Sequence, residues 1–155
     1  MLLSTHAYVV PVDAHHLLYL REDGHLPVRP YLAEVEGLVY ASPGAVVILT
    51  GVDSGPVSVV VEHHDAAPGK PSDSWEETGE IHFVAIDGLA RLGSFGSTVA
   101  AGPPVTPPGP GRYGLSVSCR GRGVAFDETV SEPVEDYLIR VWPLASAGRP
   151  DTVDS

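Results

Sequence analysis

The sequence predicts an all-β protein, an antiparallel β-sandwich of the jelly-roll or Greek-key kind with about eight strands and little helix. Three observations point there. Residues 112–120 alternate: Tyr113, Leu115, Val117 and Cys119 fall on one face, Arg112, Gly114, Ser116, Ser118 and Arg120 on the other. That is the period of a strand with one face toward a core and one toward water. Residues 45–50 and 57–61 are apolar runs rich in valine, whose branched Cβ suits a pleated surface. The 17 glycines and 15 prolines are spread between such runs, where they turn the chain.

Taken in order, residues 7–12 read as a strand in which Pro11 favours a sheet edge or a bulge, because it has no N–H to donate. Residues 15–20 read as a second strand, ended by the turn at 21–24. Pro27 and Pro30 make the next section irregular, and 31–35 could form one short helical turn. Residues 37–41 are a strand, and Ser42, Pro43 and Gly44 a turn. The continuous apolar run at 45–50 suggests a strand that is covered on both sides or central in its sheet. Its closeness to 57–61, across Asp53, Ser54, Gly55 and Pro56, predicts a hairpin.

A polar loop at 63–74 leads into a strand at 75–86, with Ile81, Phe83 and Ala85 facing one way and His82, Val84 and Ile86 the other. Asp87 and Gly88 turn the chain into 89–93. The proline-rich stretch 100–111 is a connector compatible with a crossing between sheets. After the alternating strand come an acidic loop and a closing strand at 137–142, ended by Pro143. Residues 1–143 are expected to form a single domain, with 144–155 as a disordered tail.

The net charge of −11, from 20 acidic and 9 basic residues, repels phosphate backbones, so nucleic acid is not the expected partner. It would steer a basic protein toward this one, although acidity also serves plain solubility. The lone Cys119 excludes an internal disulfide. No window has the run of about 20 apolar residues that spans a bilayer, and the first residues lack the pattern of a secretory signal. No membrane association is expected, and the cytoplasm is the expected location.

No catalytic signature is present: no Gly-x-Ser-x-Gly elbow, no phosphate-cradling glycine loop and no His-Glu-x-x-His. No catalytic residue is assigned, and the chain is expected to be non-enzymatic. His63 and His64, beside Asp65, have the chemistry of zinc or nickel ligands. Adjacent strand residues point to opposite faces, however, and the same holds for His15 and His16. No metal or cofactor is expected. Cys119 shares a face with Leu115 and Val117, so it is expected to be a small buried hydrophobe and not a nucleophile. Arg112, Arg120 and Arg122 are expected to pair with local carboxylates.

Two acidic clusters are the candidate partner-binding residues. Asp127, Glu128, Glu132, Glu135 and Asp136 lie in one ten-residue stretch without a basic residue, and Asp73, Glu76 and Glu77 surround Trp75. Glu80 belongs to the same cluster, and an aromatic ringed by acids suits protein docking, since tryptophan is enriched at binding hot spots. The simpler reading is a solvated loop whose tryptophan tucks into the sandwich.

The order of features resembles the ComJ-type inhibitors of DNA-entry nucleases in bacterial competence systems. The matching residues are Glu36 and Gly37, then 41–45 running into an apolar strand, 57–61, the polar loop to Trp75, and 81–86. The most telling is Pro110, Gly111, Arg112, Tyr113, Gly114, Leu115, similar to that family's Gly-x-Tyr-x-Leu strand after a proline-containing turn, and 136–142 corresponds to its closing strand. The family's early acidic tryptophan segment has no counterpart; residues 25–31 stand there instead. The resemblance implies a small acidic β protein that binds and blocks a basic enzyme such as a nuclease. The alternative is a sandwich that binds a small ligand or carbohydrate, with Tyr40, Tyr113 or Trp142 as a platform.

Overall fold

The computed structural model describes residues 1–13, 15–21, 38–42, 45–85, 90–94, 97–98 and 111–144. Among them there is no helix and there are ten strands: β1 (Leu2–Val12), β2 (His16–Arg21), β3 (Val39–Ser42), β4 (Ala45–Leu49), β5 (Gly55–His64), β6 (Glu77–Ala85), β7 (Ala90–Ser94), β8 (Ser97–Thr98), β9 (Gly111–Arg120) and β10 (Asp136–Pro143). They form two five-stranded sheets, in the orders β1-β5-β10-β9-β6 and β3-β4-β2-β7-β8. The chain is all-β. The expected helical turn at 31–35, the Asp87–Gly88 turn, the connector at 100–110 and the tail at 145–155 lie outside the described residues.

The alternating strand holds its predicted face. Tyr113, Leu115, Val117 and Cys119 of β9 are buried, as are Val57, Val59 and Val61 of β5 and Tyr137, Ile139 and Val141 of β10. One apolar cluster joins these side chains to Leu17, Val46, Ile48 and Leu92 of the other sheet. Burial of such side chains stabilises a fold by about 25 cal/mol per Å² of apolar surface removed from water. Pro11 sits where a missing N–H costs least, on β1, which is an edge strand. The run at 45–50 is central and covered: β4 lies between β3 and β2 with Val46, Val47, Ile48 and Leu49 all buried.

Three expectations are corrected. The first sheet is mixed, not antiparallel throughout, because β10 runs parallel to β5 with Tyr137 opposite Val59 and Ile139 opposite Val61. The runs at 45–50 and 57–61 are not a hairpin: β4 and β5 belong to different sheets, and the turn between them carries the chain across. The second face of β9 is not wetted, since Ser116 and Ser118 are buried as well. The Trp142 indole lies where a Cβ on Gly114 would sit, and Ser118 bonds the Thr78 hydroxyl at 3.0 Å. Glycine is required at 114 because the ring occupies that space.

Truncating Leu115 to alanine should lower the unfolding free energy by about 2–5 kcal/mol, the range for a buried leucine. Val9, which is 60% exposed, should tolerate alanine within about 0.5 kcal/mol. Urea titrations of the two variants check the face assignment.

Candidate functional site

Glu135, immediately before β10, is 0% exposed. Its carboxylate accepts hydrogen bonds from the backbone N–H of Gly51 at 3.0 Å and of Val52 at 2.5 Å. The Tyr137 hydroxyl donates a third at 2.5 Å. Burial, and the nearby Glu135 charge that this hydroxyl bonds, hold the phenol well above its ordinary pKa. A carboxylate is tolerated in an interior only when its lone pairs are used in this way. Glu135 therefore lies inside the protein, clasping the loop that follows β4.

That loop is tied to two other segments. The N–H of His15 donates to the Asp53 carbonyl, and that of Thr50 to the His15 carbonyl. Asp127 N–H donates to the Gly51 carbonyl at 2.7 Å, and Asp53 N–H to the Glu128 carbonyl at 2.8 Å. The approach at Gly51 is so close that a Cβ would collide with the Arg122 backbone. The result places His15, Asp53 and Asp127 together. His15 Nδ1 is 2.8 Å from the Thr50 carbonyl, while Nε2 is 2.8 Å from Asp127 Oδ1 and 3.7 Å from Asp53 Oδ1. Burial pulls the His15 pKa down, but the Thr50 carbonyl, the Asp127 hydrogen bond and the two aspartate charges together raise it above the ordinary value.

The segment after β9 turns outward. Val124 and Phe126 are 69% and 61% exposed, and the Phe126 ring packs against His15 at 6.0 Å. Asp127, Glu128 and Glu132 are exposed beside them. Among the described residues, no arginine or lysine pairs with any of these three carboxylates.

The other acidic cluster is drawn to the end of β9. Arg120 Nε donates to Asp136 at 2.9 Å, and the guanidinium stands 4.6 Å from the centre of the Trp75 ring. Arg122 pairs with Glu77 at 2.9 Å, and the Gly121 N–H donates to Glu76 at 2.9 Å. Arg120 and Arg122 therefore pair with carboxylates as expected, and they offset the charge around Trp75, whereas Arg112 forms no ion pair among the described residues. Asp73 is exposed in the preceding loop. Trp75, Arg120 and Asp136 also border a groove of about 510 Å³ on the outer face of the first sheet, floored by Val60 and Leu138 and edged by Ala7, Val9 and Glu62.

Other expected sites resolve by burial. Cys119 is 1% exposed, and burial pushes its thiol up to about 12, so it is protonated and inert as a nucleophile. His63 lies on the buried face of β5 near Ser4, while His64 pairs with Glu62 on the opposite face. Tyr113 and Trp142 are buried at 3% and 5%, so neither forms a ligand platform. The grouping of His15 with Asp53 and Asp127 left no sequence signal, because His15 and Asp127 are 112 positions apart.

No protein-family model matches the chain, and no curated protein does. Solved structures do. The crystal structure of ComJ, inhibitor of the DNA degrading activity of NucA, from Bacillus subtilis, aligns with a TM-score of 0.70 over 93% of this chain and 99% of that one, at 13% identity. The fold is ComJ-like. The crocagin biosynthetic gene J protein aligns with a TM-score of 0.62 over 92% of this chain and 98% of its own, at 14% identity. Among the described residues, no helix is long and apolar enough to cross a membrane.

Two outcomes check this geometry. Glu135→Ala leaves three buried donors without their acceptor, at about 1–3 kcal/mol each, so it should destabilise more than Tyr137→Phe in chemical denaturation. The Cys119 thiol should react with a soluble disulfide reagent only as fast as the protein opens; labelling at the rate of a free peptide thiol would contradict its placement.

Proposed function

We propose that this protein is a non-enzymatic binding module that docks on a basic protein and blocks it, the partner being a nuclease of the kind that ComJ inhibits. The ComJ-like fold over nearly the whole chain is the observation that carries the reading, and the net charge of −11 supports a basic partner. We take the two sheets to be the layers of one sandwich, which their shared apolar cluster supports.

Of the two acidic clusters, the segment after β9 suits docking better. Its Glu128 and Glu132 are exposed and its Phe126 is 61% exposed, an aromatic of the kind enriched at interfaces beside charge that would steer a basic partner. Trp75, Glu76, Glu77 and Asp136 form a second, weaker edge, because Arg120 and Arg122 offset their charge. Glu135 takes no part, since its carboxylate is used internally.

The test is inhibition of DNA cleavage by a set of basic nucleases that includes NucA. Inhibition should appear at stoichiometric ratios, and the association rate should fall steeply between 50 mM and 500 mM salt, roughly the range over which screening shortens to a few Å. Phe126→Ala should weaken binding by more than about tenfold, the mark of a hot spot, with the fold intact by circular dichroism. Unimpaired cleavage across the set would count against the reading.

A second reading rests on the groove beside Trp75, whose volume of about 510 Å³ lies in the range of small-molecule sites. A carbohydrate array separates it from the first: specific glycan binding lost in Trp75→Ala would favour a ligand-binding sandwich.

A further inference from the structure

We propose that His15, Asp53 and Asp127 form a site for one divalent transition-metal ion of the zinc class. One ligand atom from each lies within 4.8 Å of the others, a spacing that a small rotation of the exposed Asp127 carboxylate brings onto a single ion at bond lengths of about 2.0–2.2 Å. The donor set is one imidazole nitrogen and two carboxylate oxygens. Such a mixed set suits zinc and its neighbours, whereas calcium and magnesium prefer oxygen throughout.

The histidine is arranged as a metal ligand is. Its Nδ1 faces the Thr50 carbonyl at 2.8 Å, an acceptor from outside the cluster, so Nδ1 carries a proton and donates. Nε2 faces the two aspartates and its proton bridges to Asp127 Oδ1 at 2.8 Å; an ion bound there would replace that proton. In metal centres the second ring nitrogen is held by a carbonyl or carboxylate in this way, which fixes both tautomer and orientation.

Charge balance points to a cation. Asp53 and Asp127 contact no arginine or lysine among the described residues; His15 is the basic group that reaches both. The Ser54 hydroxyl lies 3.0 Å from Asp53 Oδ2, which holds that carboxylate in place. Even a protonated imidazole leaves the two aspartates with a net negative charge, and a dication beside a neutral imidazole neutralises them. The backbone holds the donors in place, through the bonds of His15, Thr50, Asp53 and Asp127 described above. Both His15 and Asp127 take left-handed conformations, at φ +66° and +65°, an uncommon pair that persists where surroundings impose it. Asp127 is exposed, so an ion enters directly from solvent. This inference does not rest on the inhibitory reading.

The full chain, stripped with a chelator and dialysed, is titrated with zinc chloride by calorimetry, and its melting temperature is followed in parallel with calcium and magnesium chlorides as comparisons. The expected result is one zinc per chain and a rise in melting temperature that neither calcium nor magnesium reproduces. Asp127→Asn keeps a residue that accepts positive φ and should weaken zinc binding by at least about tenfold. His15→Gln and Asp53→Asn should do the same, and His64→Gln should leave binding unchanged. Absence of zinc binding, or binding unaltered in Asp127→Asn, would overturn the proposal and leave His15 and Asp127 as an ion pair. If His15→Gln fails to fold, the Asp127→Asn titration still decides the matter.

Discussion

A buried carboxylate sets the geometry of one end of this molecule. Glu135 is withdrawn from water, and a carboxyl group in that position needs hydrogen-bond donors for both oxygens. The donors are two consecutive backbone N–H groups from the loop after β4 and a phenol from β10. The same residue offers its carbonyl to Ser58 N–H at 3.1 Å on β5. One side chain and its own backbone thus connect the sheet-crossing loop to the parallel pair of strands at the centre of the first sheet. Once that loop is fixed, Asp53, the segment through Asp127, and His15 follow, because each hydrogen-bonds to it.

Much of the fold was legible in the sequence, for a simple reason. Period-two alternation along Tyr113 to Cys119 identified the face that meets the core, although the opposite face of that strand is buried as well. The unbroken run at 46–49 reported a strand covered on both sides, and β4 is one. The errors have equally physical causes. Two neighbouring strands joined by a turn look the same in sequence whether they pair, as a hairpin, or part, as β4 and β5 do. Ser116, Ser118 and Gly114 are polar or small, and their composition suggested water; the ring of Trp142, 28 residues further on, covers Gly114 instead. Parallel pairing of β5 with β10 joins segments too distant for any local pattern to reveal.

The candidate site was less legible. Glu135 looked like one more acid in a charged stretch, since sequence does not distinguish a carboxylate aimed inward from one aimed outward. Its neighbour two positions on, Tyr137, is the signal that a buried acid has a donor nearby. Phe126 carries no sequence signal of its exposure, because a lone aromatic has no periodic neighbours to report which way it faces; it is 61% exposed. Arg120 at the end of β9 and Arg122 just beyond it each find a carboxylate, as their charge suggested. That pairing leaves the segment at 124–132 as the more strongly uncompensated surface.

The central claim is recognition of a basic protein through that segment, and a nitrogen-15 NMR titration tests it most directly. With an inactive form of a basic nuclease as titrant, the amide signals of Val124, Phe126, Glu128 and Glu132 should move or broaden together. Signals along Leu115 to Cys119 in the core should stay in place. Saturable binding that leaves 124–132 unperturbed while other surfaces respond would contradict the account.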